Sequence, residues 1–206
     1  MNQVSINKSI NLSEHLASPS ETALSHSCVP TVASDQRSSA SELNGLRLSP
    51  HFTLGEVTKS RHAEVYNIPS HVAIENLKRV CAWLEELRFT YNTLYCLKPG
   101  EDYETSENVE PIVINSGYRS PQLNKKVGGS PTSNHLMGCA VDIRVAGIEQ
   151  ALRYAVILMD YADEIKQDYD EILIEKNRHG AIWVHFAVRP KDNRRKTDMY
   201  SLHLTY

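Results

Sequence analysis

Long hydrophobic runs are missing from this chain. Nowhere do apolar residues approach the ~20 in succession that a bilayer span requires, so no membrane-spanning helix is expected. Residues 1–10 also lack the basic start and the apolar core of ~7–15 residues that mark a secretory signal, and a product that is cytoplasmic as synthesised is the expectation. Basic excess is missing too. Lysine and arginine number 22 against 25 aspartates and glutamates, a net charge of −3, which argues against nucleic acid as a partner. Cysteine is scarce and badly spaced for a metal. Cys28, Cys81, Cys96 and Cys139 form no Cys-x-x-Cys pair, so a thiolate-held ion is set aside and free thiols are expected.

Apolar periodicity is absent from the first 45 residues. They are rich in Ser, Asn, Glu and Thr with only scattered Val, Leu and Ile, a composition that cannot bury enough surface to offset chain ordering. Residues 1–45 are therefore read as a disordered or linker tail and residues 46–206 as one domain.

That domain does carry periodicity. Thr53 is placed to cap a short helical turn containing Glu56. From Ser70 to about Tyr91, Ala73, Leu77, Val80, Cys81, Leu84 and Leu87 recur at three and four, the stripe of an amphipathic helix. Thr90 to Glu110 is polar and contains Pro99 and Gly100, an irregular connection that either rims a cleft or is neutral surface. Residues 111–115 read as a short buried strand leading to Ser116, Gly117, Tyr118 and Arg119. A second helix is expected from Glu149 to about Ile165 through Leu152, Val156, Met159, Ala162 and Ile165. Asp170 to Glu175 and Ala181 to Val188 then form an antiparallel pair, joined by Arg178, His179 and Gly180 with the glycine at the positive-φ position. Lys191 to Lys196 is a basic run, read as a solvated edge or a surface for an anionic polymer.

Chemistry concentrates between Ser133 and Asp142. After Gly138 the residues alternate with period two, which makes a strand whose polar face carries Asp142, with His135 in the loop before it. His185 lies on the alternating run 181–188, on the face shared by Trp183 and Ala187. Should the two strands be neighbours, His135, Asp142 and His185 become two imidazoles and one carboxylate around a single ion. Three protein ligands with a fourth position open is the pattern of a catalytic zinc. His51 and His62 have no partner at ligand spacing and read as packing or surface residues, and His179 as an exposed turn residue.

Three pieces in order, Ser133-x-His135-x-x-Gly138-x-Ala140-x-Asp142, the upstream Ser116 to Ser120, and Trp183-x-His185, resemble the zinc D-Ala-D-Ala carboxypeptidase family. The resemblance spans roughly Leu46 to Arg195. It implies an α+β fold, a small antiparallel sheet with helices packed on one side, as in peptidoglycan D,D-peptidases and hedgehog. It implies one Zn2+ on His135, Asp142 and His185, and hydrolysis of peptide bonds in peptidoglycan stem peptides by a monomer acting after release or export.

The resemblance also makes Arg119 a substrate contact beside the metal; from the residues alone, it pairs structurally with a nearby carboxylate. Ser133 orients the His135 loop or bonds substrate, Gln122 and Asn124 are further polar candidates, and Trp183 walls the cleft. Some relatives place the acid that takes the water's proton three residues before the last histidine, where this chain has Ile182. The hairpin instead offers Glu175, opposite Trp183 and diagonal to His185 at ~7–8 Å between Cα atoms, with Glu171 and Asp170 behind it. The departure at Ile182 leaves a second reading open, a zinc-stabilised binding module of the same fold without hydrolysis.

Overall fold

The computed structural model of the protein describes residues 43–199. The expected tail up to residue 42, and Cys28 with it, lies outside them; the three cysteines inside are free. Helix α1 (Leu54–Thr58) starts on a reciprocal cap. The Thr53 hydroxyl accepts from the Glu56 N–H, and the Glu56 carboxylate accepts from the Thr53 N–H at 2.7 Å.

Helix α2 (His71–Tyr95) is capped by Ser70 and buries the whole expected stripe. Leu77, Val80, Cys81, Leu84 and Leu87 have no exposed surface, and each buried leucine contributes about 2 kcal/mol. The helix runs a turn beyond the expected Tyr91, because Asn92 is tied at both ends. Its amide donates to the carbonyls of Arg88 and Glu110 and its oxygen accepts from the Glu110 N–H.

Strand β1 (Ile114–Ser116), helix α3 (Pro121–Lys126), a 3₁₀ turn (Asn134–Met137) and strand β2 (Ala140–Arg144) follow, then helix α4 (Ile148–Ile165) and strands β3 (Glu171–Lys176), β4 (Ile182–Ala187) and β5 (Lys196–Met199). The five strands form one sheet in the order β1-β2-β4-β3-β5. The α+β class stands. One part of the expectation does not, because β5 pairs with β3 in parallel and the sheet is mixed. After β4 the chain swings past the end of β3, with Asp192 and Arg195 at positive φ, and returns along its outer edge. β5 is exposed at every position, so no alternation marks it in the sequence.

The basic run before β5 is not simply solvated. Arg189 and Arg194 pair with Asp170, and Arg195 pairs with Asp163 and Asp168.

Period two divides the sheet between two duties. Val141, Ile143, Ile172, Ile174, Val184 and Phe186 are buried in the core beneath α2 and α4, with Trp83 5.4 Å from Phe186, ring centre to ring centre. Asp142, His185 and Glu175 fall on the other face. Helix α4 keeps only Met159 and Ala162 of the expected stripe against the core. Ala151, Tyr154, Ala155, Leu158 and Ala162 are buried, whereas Leu152, Val156 and Ile165 are 41%, 48% and 37% exposed. Apolar residues on both sides let two helix phases fit the same spacing; the alanines permit close approach, and Tyr154 packs edge-on to Tyr91 at 4.8 Å.

Candidate active site

Strand register brings the distant residues together. In β2 and β4, Asp142 pairs directly with His185 and Arg144 with Trp183; in β3 and β4, Leu173 pairs with His185 and Glu175 with Trp183, as the hairpin reading requires. The turn forms as expected, with Gly180 at φ +85° and Asn177 accepting on Oδ1 from the N–H groups of His179 and Ala181. At the sheet edge a bulge between Ile114 and Ser116 sets Ser116 beside Asp142.

His135 arrives from the 3₁₀ turn, whose N-cap is Ser133; the Ser133 hydroxyl accepts from the His135 N–H at 3.3 Å. The turn ends on Gly138 at φ +68°, where a β-carbon would stand 2.5 Å from the Ala73 carbonyl oxygen.

His135, Asp142 and His185 are buried, with one potential ligand atom each, all within 4.8 Å of one another. Asp142 Oδ1 lies 3.3 Å from His135 Nε2 and 2.9 Å from His185 Nδ1. Ligands about 2.0–2.1 Å from a tetrahedral zinc stand roughly 3.3 Å apart, close to the two separations measured from Asp142.

The remaining atoms of each group are engaged elsewhere. His135 Nδ1 is 2.6 Å from the Gly117 carbonyl, which can only accept, so Nδ1 carries a proton and Nε2 is the nitrogen turned to the site. His185 Nε2 faces Glu171 at 3.4 Å, which leaves Nδ1 towards Asp142. The second Asp142 oxygen accepts from Arg119, whose Nε also donates to Ser116 Oγ at 2.8 Å. Such outer contacts are what hold metal ligands in one tautomer and orientation.

Electrostatics agrees with that donor set. Burial pushes the Asp142 carboxyl up, but His135 and His185 outweigh it and hold it well below the usual carboxylate range. Burial pulls His185 down, while Asp142 and Glu171 outweigh this and raise it to about 9.

Ile182 packs against the core, on the face opposite His185. Ile182 is half-buried and also lines the cleft, so the position three before the last histidine is occupied by an apolar side chain and supplies no acid in this chain. Glu175 shares the site face, and its carboxylate accepts from the Trp183 indole N–H at 2.6 Å. Glu171 is held by Asn134 and Arg194 as well as His185. Asp170 is fully buried and bound by Asn134, Arg189 and Arg194. Sequence reading missed these outer contacts, although alternation through Glu171, Leu173 and Glu175 already set both glutamates on one face.

Trp183, Arg119 and Asp142 line a cleft of about 860 Å³, together with Lys59 to His62 and Asn115. Gln122 is exposed on α3 and is not a lining residue, whereas Leu123 and Val127 of the same segment are. Asn124 is buried, donating to the Ser130 carbonyl at 2.8 Å. The connection from 96 to 110 contributes no lining residue; Tyr103 packs on Phe89 and Arg88 instead.

Two outcomes test this shell. A β-carbon on Gly117 would lie 2.3 Å from the Val57 carbonyl oxygen, and the residue's own carbonyl orients His135. Gly117→Ala is expected to lose about 1–3 kcal/mol in urea unfolding and roughly tenfold in zinc affinity by competitive titration; unchanged affinity would remove Gly117 from the site's support.

Burial pushes Asp170 up, but Arg194, Asn134 and Arg189 hold it down at about 2. Against ~3.9 in an unfolded chain, a depressed folded value stabilises above about pH 4, and the benefit is lost as pH falls through about 2. The shift corresponds to roughly 2–3 kcal/mol, trimmed to about 1–2 kcal/mol by screening at half-exposed Arg194. Asp170→Asn should therefore melt below the wild type at pH 7 and converge with it between pH 4 and 2. A constant gap across that window would contradict the assignment.

Among curated proteins, none matches this chain in sequence. A family model described as Peptidase M15 matches residues 101–166, a segment that contains Arg119, Ser133, His135 and Asp142, while His185 and Glu175 lie beyond it and reach the site through strand pairing. The resemblance read from the motifs is thus borne out: residues 101–166 match the zinc D-Ala-D-Ala carboxypeptidase-like Peptidase M15 family.

Proposed function

We propose that the protein is a zinc metallopeptidase that hydrolyses peptide bonds of peptidoglycan stem peptides, as a carboxypeptidase or an endopeptidase, with residues 46–206 as its catalytic unit. One observation carries the reading. Three buried ligand groups face one another, Asp142 among them lining an open cleft, and each group's remaining polar atoms are held by neighbours.

His135, Asp142 and His185 would hold the ion. Zinc bound there supplies Lewis acidity, which lowers the pKa of water from 15.7 towards ~7. Glu175 takes the proton of the attacking water and returns it to the leaving amine, general acid–base work that contributes ~10²–10⁴-fold. The indole N–H of Trp183 orients the Glu175 carboxylate for that exchange. Arg119 fixes Asp142 and turns its remaining donors to the substrate carbonyl oxygen as charge develops on it. Ser133 holds the His135 turn in place, and Trp183 forms the wall against which the peptide lies.

The unit works as a monomer on cell-wall peptide after release or export. No helix among the described residues is long and apolar enough to cross a membrane. The test is digestion of purified peptidoglycan by the protein as isolated, after chelation, and after zinc is restored, with metal content measured alongside. Product is expected in the first and third samples, with about one zinc per chain. Equal product in all three would overturn the reading.

A further inference from the structure

We infer that Lys59, Arg61 and Arg144 form an anion-binding wall of the cleft, selecting peptides that carry acidic side chains near the bond to be cut. The inference rests on the peptidase reading for the fate of the peptide, but not for its binding.

The charge of the cleft differs from that of the chain. The protein carries a net charge of −3, yet the charged lining consists of Lys59, Arg61, Arg119 and Arg144 against one carboxylate, Asp142, which is committed to Arg119 and two histidines. His62 also lines the cleft and faces Glu64 at 3.4 Å.

Placement ties the wall to the triad. Arg144 is on the site face of β2, two residues beyond Asp142 and paired in register with Trp183, so its Cα stands ~7 Å from that of the ligand aspartate. Its Nε donates to Asn115 Oδ1 at 3.2 Å, which steadies the guanidinium with its outer donors uncommitted to any acid among the described residues. Lys59 is the C-cap of α1, and Arg61 follows in the next turn; both are exposed and neither has an acidic partner among the described residues. Cations that line a concavity and are not neutralised focus the field there and concentrate anions. A guanidinium also matches a carboxylate through two parallel hydrogen bonds. A ligand that reaches the triad as a peptide and meets this wall is complementary when it carries carboxylates.

The test is binding of dansyl-Glu-Glu-D-Ala-D-Ala and dansyl-Gln-Gln-D-Ala-D-Ala to the zinc-loaded full chain, read by fluorescence anisotropy, with cleavage followed separately in the same samples. At low salt the glutamate peptide is expected to bind about tenfold more tightly, each of three solvent-exposed charges contributing roughly two- to threefold. Most of that margin should vanish near ~1 M salt, where charges are screened within ~3 Å.

In the combined Lys59→Gln, Arg61→Gln and Arg144→Gln variant the two peptides should bind alike. The charge-conserving Lys59→Arg, Arg61→Lys and Arg144→Lys variant should keep a clear preference, which separates charge from any effect on folding. Equal binding by the wild type, or a preference that survives neutralisation, overturns the wall. Preference without cleavage of either peptide leaves the wall standing and counts against the peptidase reading; cleavage of both without preference does the reverse.

Discussion

Zinc content in purified Asp142→Asn is expected to fall below about a tenth of an equivalent per chain, and hydrolysis by ~10³-fold or more. Removing a partner one step outside a metal's ligands already costs 10–100-fold in affinity or activity, so loss of the only carboxylate among the three proposed ligands should cost more. The side chain has a second duty. Its oxygens meet Arg119 on one side and the two imidazoles on the other, all within a buried cluster. An amide keeps one acceptor but brings two N–H groups to a place where the neighbours already donate, so a fall of roughly 1–3 kcal/mol in unfolding free energy should accompany the loss of metal. Elemental analysis and thermal unfolding on the same preparation read both. Full metal content in this variant would take Asp142 out of the ligand set.

Glu175→Gln should separate chemistry from metal binding. Glutamine retains an oxygen for the Trp183 indole, so the hairpin and the cleft wall are expected to stay in place. What it removes is the basic carboxylate. The expected result is zinc at the wild-type level, binding of peptide little changed, and kcat reduced by ~10²–10⁴-fold. Loss of zinc together with activity would instead make Glu175 part of the metal's support. Undiminished kcat with zinc in place would move the proton-transfer role to another group; Glu171 is the other site-face acid, and Asn134, Arg194 and His185 already engage its carboxylate. Wild-type binding with no hydrolysis in either protein would favour the binding-module reading.

Several elements were legible because local pattern and tertiary role coincide. The α2 stripe, the Thr53 cap, the hairpin with Gly180 and the alternation through Asp142 are each short-range signals of a kind that burial reinforces. Helix α4 shows the limit of such reading. Its spacing of apolar residues was right and its phase only partly so, because phase depends on which neighbour packs closest, here Tyr91 against Tyr154. β5 left no trace at all, since a fully exposed edge strand is held by backbone bonds and by Arg195 and Thr197 contacts to its surroundings rather than by apolar alternation.

By itself the sequence determined which residue types were available for chemistry: two histidines and an aspartate on period-two strands or their approaches, an arginine after a short strand, and glutamates alternating towards one face. Only the tertiary structure decided which of their atoms meet. Strand order put β4 between β2 and β3, the carbonyl of Gly117 chose the nitrogen that His135 turns to the site, and the opposite parity of Ile182 and His185 set the two side chains on different faces of β4. The reason is range. Periodicity is written in neighbours a few residues apart, whereas a shared site depends on pairings across more than forty residues, which form only when the sheet closes over its core.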